Sequence, residues 1–172
     1  MIDSDELRLP RHYKAASLAD FETHPQAGPI RSLLETKGSE SVFLFGPNGV
    51  GKTHLACALA HRWCWSHFVN ASGVIFWLRS RRRGGEDTER QLLESLGEVS
   101  GLIVDDLAIG LEMPMGSLAL YHLIDLRANN NRTTIVTSDK SLEEIDRTNS
   151  SLASRLACYR RLHLTGPDRR LA

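Results

Sequence analysis

The chain has few cysteines, no long apolar segment and no excess of charge of either sign. Its 172 residues include three cysteines, too few for the disulfide framework of a small secreted domain. No segment approaches the roughly 20 apolar residues that a membrane-spanning helix needs. The acidic residues 1–6 also lack the apolar core of a signal peptide. We therefore expect a reduced, cytoplasmic protein without a membrane segment.

The charge balance excludes a general affinity for polyanions. Lysine and arginine together number 21, and aspartate and glutamate also number 21, so the formal net charge is +0. Any contact with nucleic acid must then come from a local patch of the surface. The apolar content of 41% and the chain length fit one globular domain with a sizeable core.

A complete phosphate-binding loop is present in the first third of the chain. Residues 46–53 match the pattern G-x-x-x-x-G-K-T, after a β-prone apolar run at 41–45 and before a helical run at 54–60. This context places nucleotide phosphates at a helix N-terminus. Lys52 is expected to reach the β and γ phosphates, and the Thr53 hydroxyl to bind Mg²⁺. The predicted nucleotide-binding residues are Gly46, Pro47, Asn48, Gly49, Val50, Gly51, Lys52, Thr53 and His54.

Strand-like and helix-like segments alternate along the rest of the chain. The alternation predicts an α/β fold with a five-stranded parallel sheet that helices cover on both faces. Predicted strands occupy residues 41–45, 73–78, 101–106, 133–137 and 161–164, and predicted helices occupy residues 30–36, 54–60, 86–96 and 116–128.

Two carboxylates end the buried strand predicted at residues 101–106. Ligands bind at the carboxyl ends of the strands in open α/β sheets, so this position is suited to a site. Asp105 is predicted to bind Mg²⁺ through water, and Asp106 to act as the base that orients the attacking water. The alternative is a pair of solvated aspartates in a turn, which the complete phosphate loop disfavours.

Polar residues also follow the next predicted strand. Thr137 and Ser138 are placed to lie between Asp106 and the γ phosphate, although Ser138 and Asp139 are equally good helix N-caps. Arg155 could complete the site of a neighbouring subunit by stabilising charge on the transferred phosphoryl group. From spacing alone, a surface arginine on an amphipathic helix is the favoured interpretation of Arg155.

A cluster of arginines follows the segment predicted as the second strand. Arg79, Arg81, Arg82 and Arg83 form a predicted basic loop that could contact the phosphates of single-stranded DNA. The alternative is a solvated loop, which is what most charge runs are, and Trp77 is the one aromatic residue beside the cluster.

Several segments resemble, in order, the AAA+ ATPases of the DnaC/IstB group. That group contains replicative helicase loaders and the ATPase helpers of transposases. The similarity runs from about residue 9 to the C-terminus, and the Lys-Thr-His-Leu-Ala continuation of the loop and the Asp-Asp strand ending are more specific than the loop alone. The segments are residues 10–21, 46–56, 102–107, 123–127, 134–145 and 152–156.

The resemblance implies a role for each matched position. It implies a three-layer P-loop core of the AAA+ class that binds ATP and Mg²⁺. Thr137 and Ser138 match the sensor 1 segment, but Asp139 stands where the group usually has asparagine, which could slow hydrolysis. Arg155 matches the arginine finger, which acts on a neighbouring subunit and implies a homo-oligomer. Residues 166–170 resemble the closing Gly-x-Asp-x-Arg segment of the group.

The resemblance also has two departures. The chain stops at Ala172, so we expect the helical lid with its sensor 2 arginine to be absent or truncated. We see no room before the core for a separate folded segment that binds a helicase. We expect residues 1–40 to be an extension that packs on the core, and residues 41–172 to form the ATPase core.

Two functions of different classes follow from these observations. The first is a slow ATPase, stimulated by oligomerisation or DNA, that acts on DNA-bound machinery with a replicative helicase or a transposase as partner. The second is a switch or adaptor that binds ATP with little turnover. A small-molecule kinase fits the paired aspartates poorly.

Overall fold

The fold is built on a sheet of five parallel strands. The computed structural model describes residues 8–33, 40–65, 67–81 and 86–170. The strands lie side by side in the order β2-β3-β4-β1-β5 and every adjacent pair is parallel, so the predicted sheet is confirmed. They are β1 (Val42–Phe45), β2 (His67–Asn70), β3 (Gly101–Asp105), β4 (Thr133–Ser138) and β5 (Arg160–His163).

Helices connect the strands and cover the sheet. Short 3₁₀ helices at Arg11–Tyr13 and Leu18–Phe21 precede them. No helix in the described part of the chain is long and apolar enough to cross a bilayer. The α-helices are α1 (Ala27–Ser32), α2 (Lys52–Arg62), α3 (Ala71–Arg81), α4 (Glu86–Glu98), α5 (Leu107–Glu112), α6 (Gly116–Asn129), α7 (Leu142–Asp146) and α8 (Ser150–Ala157).

The prediction of a strand at residues 73–78 is wrong. The second strand is His67–Asn70, and the predicted residues lie in α3. The helix begins where the Asn70 side chain accepts a hydrogen bond from the Ser72 backbone N–H at 3.0 Å. Val74 and Leu78, four residues apart, are buried on one helix face, whereas Phe76 is 65% exposed. A short apolar run does not distinguish a strand from a buried helix, and the strand interpretation required Phe76 to be buried.

The same correction applies to the predicted basic loop. Arg79 and Arg81 belong to the last turn of α3, and the Arg79 guanidinium donates a hydrogen bond to the Pro114 carbonyl at 3.3 Å. Arg82 and Arg83 lie outside the described residues.

Alternate residues of the central strands feed two separate cores. One set of strand residues packs under α2 and consists of Val42, Leu44, Ile103 and Ile135. The other set packs on the opposite face of the sheet, under α3 to α8, and consists of Phe43, Leu102, Val104 and Val136. The alternation follows from the two-residue period of a strand. The α2 side also receives Phe21, Ile30 and Leu33 from before β1.

A buried arginine joins the helices on the α3 to α8 side to the sheet. Arg127 in α6 is completely buried, and burial lowers the pKa of its guanidinium to about 10. The group donates to the Thr134 hydroxyl at 2.9 Å and to the carbonyls of Leu96, Val99 and Thr133 at 2.6, 3.0 and 2.6 Å. These bonds satisfy carbonyls at the end of α4, which would otherwise lack partners. They hold α4, α6 and β4 together.

The two edges of the sheet differ. Beside β2, a single antiparallel bridge joins Arg8 to His67. At the other edge, β5 carries Arg161 and His163 as exposed residues, alternating with buried Leu162 and Leu164.

Candidate nucleotide-binding site

The phosphate loop has the backbone geometry that its glycines permit. Gly46, Gly49 and Gly51 have φ angles of 139°, 80° and 101°, in the region that side chains with a Cβ rarely adopt. A Cβ at Gly46 would collide with the Leu164 carbonyl, because the loop leaves β1 directly against the end of β5. Gly51 then starts α2, whose first N–H groups open into a cavity. The loop is therefore shaped as a cradle for an anion.

Lys52 is folded back onto this loop. Its Nζ donates hydrogen bonds to the carbonyls of Gly46 and Pro47, both at 2.8 Å. The residue is 6% exposed, and burial lowers the pKa of the amine. The negative charges of Asp106, Asp139 and Asp105 act in the opposite direction and raise that pKa. The Lys52 ammonium group is therefore surrounded by carboxylates. Two carbonyls of the phosphate loop thus accept hydrogen bonds from the loop's own lysine.

Asp105 is the centre of a hydroxyl cluster at the end of β3. Its Oδ1 accepts hydrogen bonds from the Thr53 hydroxyl at 2.8 Å and from the Thr137 hydroxyl at 2.7 Å. Burial raises the pKa of the carboxyl to about 6, despite the two hydroxyl donors and Lys52, which act in the opposite direction. The structure therefore brings together three of the predicted site residues from the phosphate loop, β3 and β4.

The Thr53 and Asp105 oxygens have the chemistry of a magnesium site. Both are hard oxygen donors, 2.8 Å apart, of the kind that Mg²⁺ prefers. A bound cation would also stabilise the ionised form of Asp105, which burial penalises. These two residues fit the predicted ion.

Asp106 lies at the edge of the cavity in a special backbone conformation. Its φ and ψ are 54° and 51°, the left-handed region, which a short polar side chain such as aspartate tolerates best. Its N–H donates to the Thr137 hydroxyl at 3.0 Å, and the half-buried residue lines the cavity beside Lys52 and Thr53. The strand therefore turns sharply at Asp106, so that the two adjacent carboxyls take different positions.

The two residues predicted for sensor 1 lie in different surroundings. Thr137 links the Asp105 carboxylate to the Asp106 backbone, so it fixes both acids relative to each other. The Ser138 hydroxyl accepts a hydrogen bond from the Lys140 N–H at 3.0 Å, in its own turn. Thr137 and Ser138 are both completely buried and neither lines the cavity, whereas Asp139 is exposed.

The cavity, with a volume of ≈ 330 Å³, has two walls. We call the phosphate loop with Thr53 and Asp106 the inner wall, and we include in it Asp105 and Thr137, which do not line the cavity but hydrogen-bond to Thr53 and Asp106. The outer wall consists of Tyr13 and Asp20 from before β1 and Arg169 and Arg170 from after β5. The sequence indicated no role for these four residues. The only signal was that all four lie in segments that resemble the family, Tyr13 and Asp20 in residues 10–21 and Arg169 and Arg170 in residues 166–170.

Residues 166–170 bind the phosphate loop directly. The Arg169 N–H donates to the Gly49 carbonyl at 3.0 Å, and the Asp168 carboxylate occupies the space that a Cβ at Gly49 would need. The Arg169 guanidinium donates to the Asp20 carbonyl at 3.0 Å and lies 5.0 Å from the centre of the Phe21 ring. Arg169 therefore connects the loop to the segment before β1.

His54, the last predicted binding residue, joins α2 to the outer wall. Its Nε2 lies 2.6 Å from the Asp20 carboxylate. Asp20 also accepts the Ser17 N–H, and these contacts lower the pKa of the Asp20 carboxyl. Both side chains are about one-third or more exposed, so the pair contributes little stability.

Two predicted groups lie apart from the cavity. Arg155 in α8 contacts Asp125 of α6 and does not line the cavity. Arg79 lies at the end of α3, on the side of the sheet opposite α2.

The comparisons with known proteins agree with this geometry. The profile of a family described as "IstB-like ATP binding protein" matches residues 8–162. An insertion sequence ATP-binding protein of Sinorhizobium fredii is 33% identical over 105 residues, which are 58% of this chain and 40% of that protein. The replicative helicase loader DnaC of Escherichia coli is 24% identical over 116 residues, covering 64% of this chain and 47% of the loader. The chain thus spans about half the length of the curated relatives it matches.

A solved structure shows the same fold. The replication initiator DnaA bound to AMPPCP and single-stranded DNA superposes with a TM-score of 0.73 at 18% identity, over 90% of this chain and 51% of DnaA. The predicted three-layer P-loop fold is therefore confirmed.

Proposed function

Because the chain belongs to the family of IstB-like ATP-binding proteins, we propose that it binds and slowly hydrolyses ATP while acting on DNA-bound machinery, in helicase loading or transposition. The observation that carries this proposal is the convergence of Lys52, Thr53 and Asp106 on one side of a single cavity, with Asp105 hydrogen-bonded to Thr53 directly behind it. This set contains the phosphate cradle, the cation ligands and a carboxylate for water activation, which are the parts that P-loop hydrolysis requires.

Each of these residues has a distinct part in the proposed reaction. The backbone N–H groups that follow Gly49 bind the phosphates, and Lys52 exchanges its bonds with the loop carbonyls for phosphate oxygens. Thr53 and Asp105 would hold Mg²⁺, which supplies charge compensation on the β and γ phosphates when it is bound. Asp106 orients the attacking water and polarises it, and Thr137 keeps Asp106 in register with Asp105.

The proposed role of Arg155 requires a second copy of the chain. Its guanidinium is 43% exposed and is absent from the lining of its own cavity. A cation in this position can act on the nucleotide of a neighbouring subunit, where an arginine finger typically accelerates hydrolysis by about 10³–10⁵-fold. We therefore propose a homo-oligomer with composite sites.

Contact with single-stranded DNA is proposed at the arginines of residues 79–83. The exposed end of α3 carries Arg79, which supports the proposal, and the relative DnaA binds single-stranded DNA in its solved structure. We expect this binding to weaken steeply with added salt, because phosphate contacts release counterions.

We also propose that residues 41–172 form the ATPase core on which the residues before 41 pack as an extension. Burial of Phe21 and Ile30 in the core under α2 supports this division. The helicase or transposase partner would then bind to a surface of the ATPase core that these residues do not cover.

The alternative function is a switch that binds ATP with little turnover. The hydrogen bonds of Lys52 to Gly46 and Pro47 favour it, since the lysine must be released before it can assist hydrolysis. The exposed Asp139, in place of the asparagine usual in the group, also favours it.

Steady-state ATP turnover at increasing protein concentration separates the two functions. An ATPase with a trans-acting arginine gains specific activity with concentration, and Asp106→Asn binds ATP but does not turn it over. The matched control Asp146→Asn, an exposed aspartate in α7, keeps full activity. Tight ATP binding with negligible turnover at every concentration would instead establish the switch.

A further inference from the structure

The contact between Arg155 and Asp125 has a construction that an ordinary surface ion pair lacks. The Arg155 Nη2 lies 2.5 Å from the Asp125 Oδ1, and the two side chains are 43% and 23% exposed. That oxygen is closed off from solvent and accepts no hydrogen bond from the described part of the chain. Arg155 therefore supplies the charge that compensates a largely buried carboxylate oxygen.

The carboxylate itself is fixed from its other side. Its Oδ2 accepts a hydrogen bond from the Asn129 side chain at 3.2 Å, one turn later in α6. Two residues after Asp125, the four hydrogen bonds of Arg127 hold this part of the helix to α4 and β4. The position of the Asp125 carboxylate is thus fixed by the contacts of α6.

Helix α8 does not depend on the ion pair for its position. At its start, the Asn149 side chain donates to the Ser117 carbonyl and hydroxyl at 3.1 and 2.7 Å, and it accepts the Leu152 N–H at 2.9 Å. Leu152 and Leu156 are completely buried in the core between α8 and the sheet. Because these contacts already fix the helix, the ion pair is free to order the arginine side chain.

The pairing leaves most of the guanidinium available. A guanidinium has five N–H donors, and no hydrogen bond of Arg155 to another described residue competes for them. A long flexible side chain loses conformational freedom when it binds, and ordering it beforehand removes that loss from the binding step. An arginine held at one nitrogen and open at the others is prepared for a phosphate.

From this arrangement we propose that Asp125 is the positioning residue of Arg155, which it orders for contact with the nucleotide of a neighbouring subunit. The inference rests on the proposed function, because it assumes that Arg155 acts in trans. It adds a residue on α6 to the composite site.

Mixed-subunit ATPase measurements test this inference with chains of all 172 residues. An Arg155→Ala chain has an intact cavity but no finger, and an Asp106→Asn chain has a finger but no hydrolysis. If the finger acts in trans, mixing the two restores turnover. With an Asp106→Asn/Asp125→Asn donor, we expect at least ~10-fold less restored turnover, since misplacing a group by about 1 Å can reduce a rate 10²-fold.

Controls separate positioning from a structural effect. Glu98→Gln in the donor removes the carboxylate that pairs with Arg132 at 3.1 Å, and it should leave the restored turnover unchanged. The Asp125→Asn donor should keep the melting temperature and ATP affinity of its Asp106→Asn parent. Equal restoration by donors with and without Asp125→Asn would overturn the positioning role while leaving the trans arginine in place. Failure of every donor to restore turnover would refute the trans arginine and this inference together.

Discussion

The inner and outer walls of the cavity are built in different ways. The inner wall is held by buried hydrogen bonds among the phosphate loop, β3 and β4, with Asp105 and Lys52 5% and 6% exposed. The outer wall combines exposed Asp20, Arg169 and Arg170 with half-buried Tyr13, and it is joined mainly through Arg169. The inner wall is therefore more deeply buried than the outer wall. We infer that chemistry resides in the former and adjustment to the ligand in the latter.

The largest effect is expected from removing the cation of the inner wall. Lys52→Ala should weaken ATP binding by about 100-fold, since hydrogen bonds to charged groups contribute about 1.5–3 kcal/mol. Equilibrium titration with a fluorescent ATP analogue measures this change, and Lys14→Ala, at an exposed position outside the cavity, is the matched control. Unchanged affinity in Lys52→Ala would show that the inner wall does not bind the phosphates.

A second prediction concerns the burial of Asp105. Because the pKa of Asp105 is raised to about 6, its ionisation opposes folding, and this loss of stability develops as the pH rises from about 4 to 6. Asp105→Asn does not titrate and should be more stable than the parent chain above pH 6, by on the order of 1–3 kcal/mol without nucleotide. The gain should disappear near pH 4.

Urea unfolding at pH 4, 6 and 8 measures this difference. Asp106→Asn, which alters the adjacent half-buried carboxylate, is the control. A gain for Asp105→Asn that is the same at all three pH values would contradict the assignment of the raised pKa to Asp105.

The third prediction addresses the junction of the two walls at Gly49. Gly49→Ala places a Cβ at a residue whose φ is 80° and against the Asp168 carboxylate. We expect the backbone strain alone to lower the free energy of unfolding by about 1–2 kcal/mol. The collision with Asp168 adds a further loss of stability, which Asp168→Ala should restore by removing the obstructing side chain. A double-mutant cycle measures the coupling free energy between Gly49→Ala and Asp168→Ala. Gly73→Ala, where a Cβ meets nothing within 4 Å, should be neutral or stabilising. Strict additivity of the two changes would contradict the predicted collision between a Cβ at residue 49 and the Asp168 carboxylate.

The smallest effect is expected on the outer wall. Arg169→Ala should reduce ATP affinity by no more than ~10-fold, and added salt should diminish the difference because the side chain is exposed. Arg169→Lys keeps the charge but loses the planar contact with Phe21, so it separates the two contributions. Arg62→Ala, at the far end of α2, is the control. A larger loss from Arg169→Ala than from Lys52→Ala would reverse the proposed division between the walls.

The two walls also differ in how far the sequence predicted them. The phosphate loop was predictable because three of its positions demand glycine for backbone reasons and its lysine and threonine have fixed offsets. Asp105 and Asp106 were predictable because strand ends of a parallel sheet converge at one edge. Asp168 and Arg169 contact the loop from more than 100 residues away, and no local pattern encodes such a contact.

The wrong strand prediction has a local cause. The segment at residues 73–78 is apolar on nearly all sides, so its periodicity does not separate a helix from a strand. Thr137 and Ser138 are adjacent strand residues, so their side chains point to opposite faces of the sheet. The roles of the site residues, with Arg155 among them, stay predictions.

The unequal edges of the sheet have a consequence for self-association. A bare edge strand offers unpaired backbone groups to any other strand and so invites aggregation. Here the Gln26 side chain donates to the His163 carbonyl at 2.6 Å and accepts the Thr165 N–H at 2.8 Å, so it occupies backbone groups at the end of the β5 edge, and Arg161 adds an exposed cation. A second strand is therefore hindered from pairing with the β5 edge, where part of the backbone already has a partner.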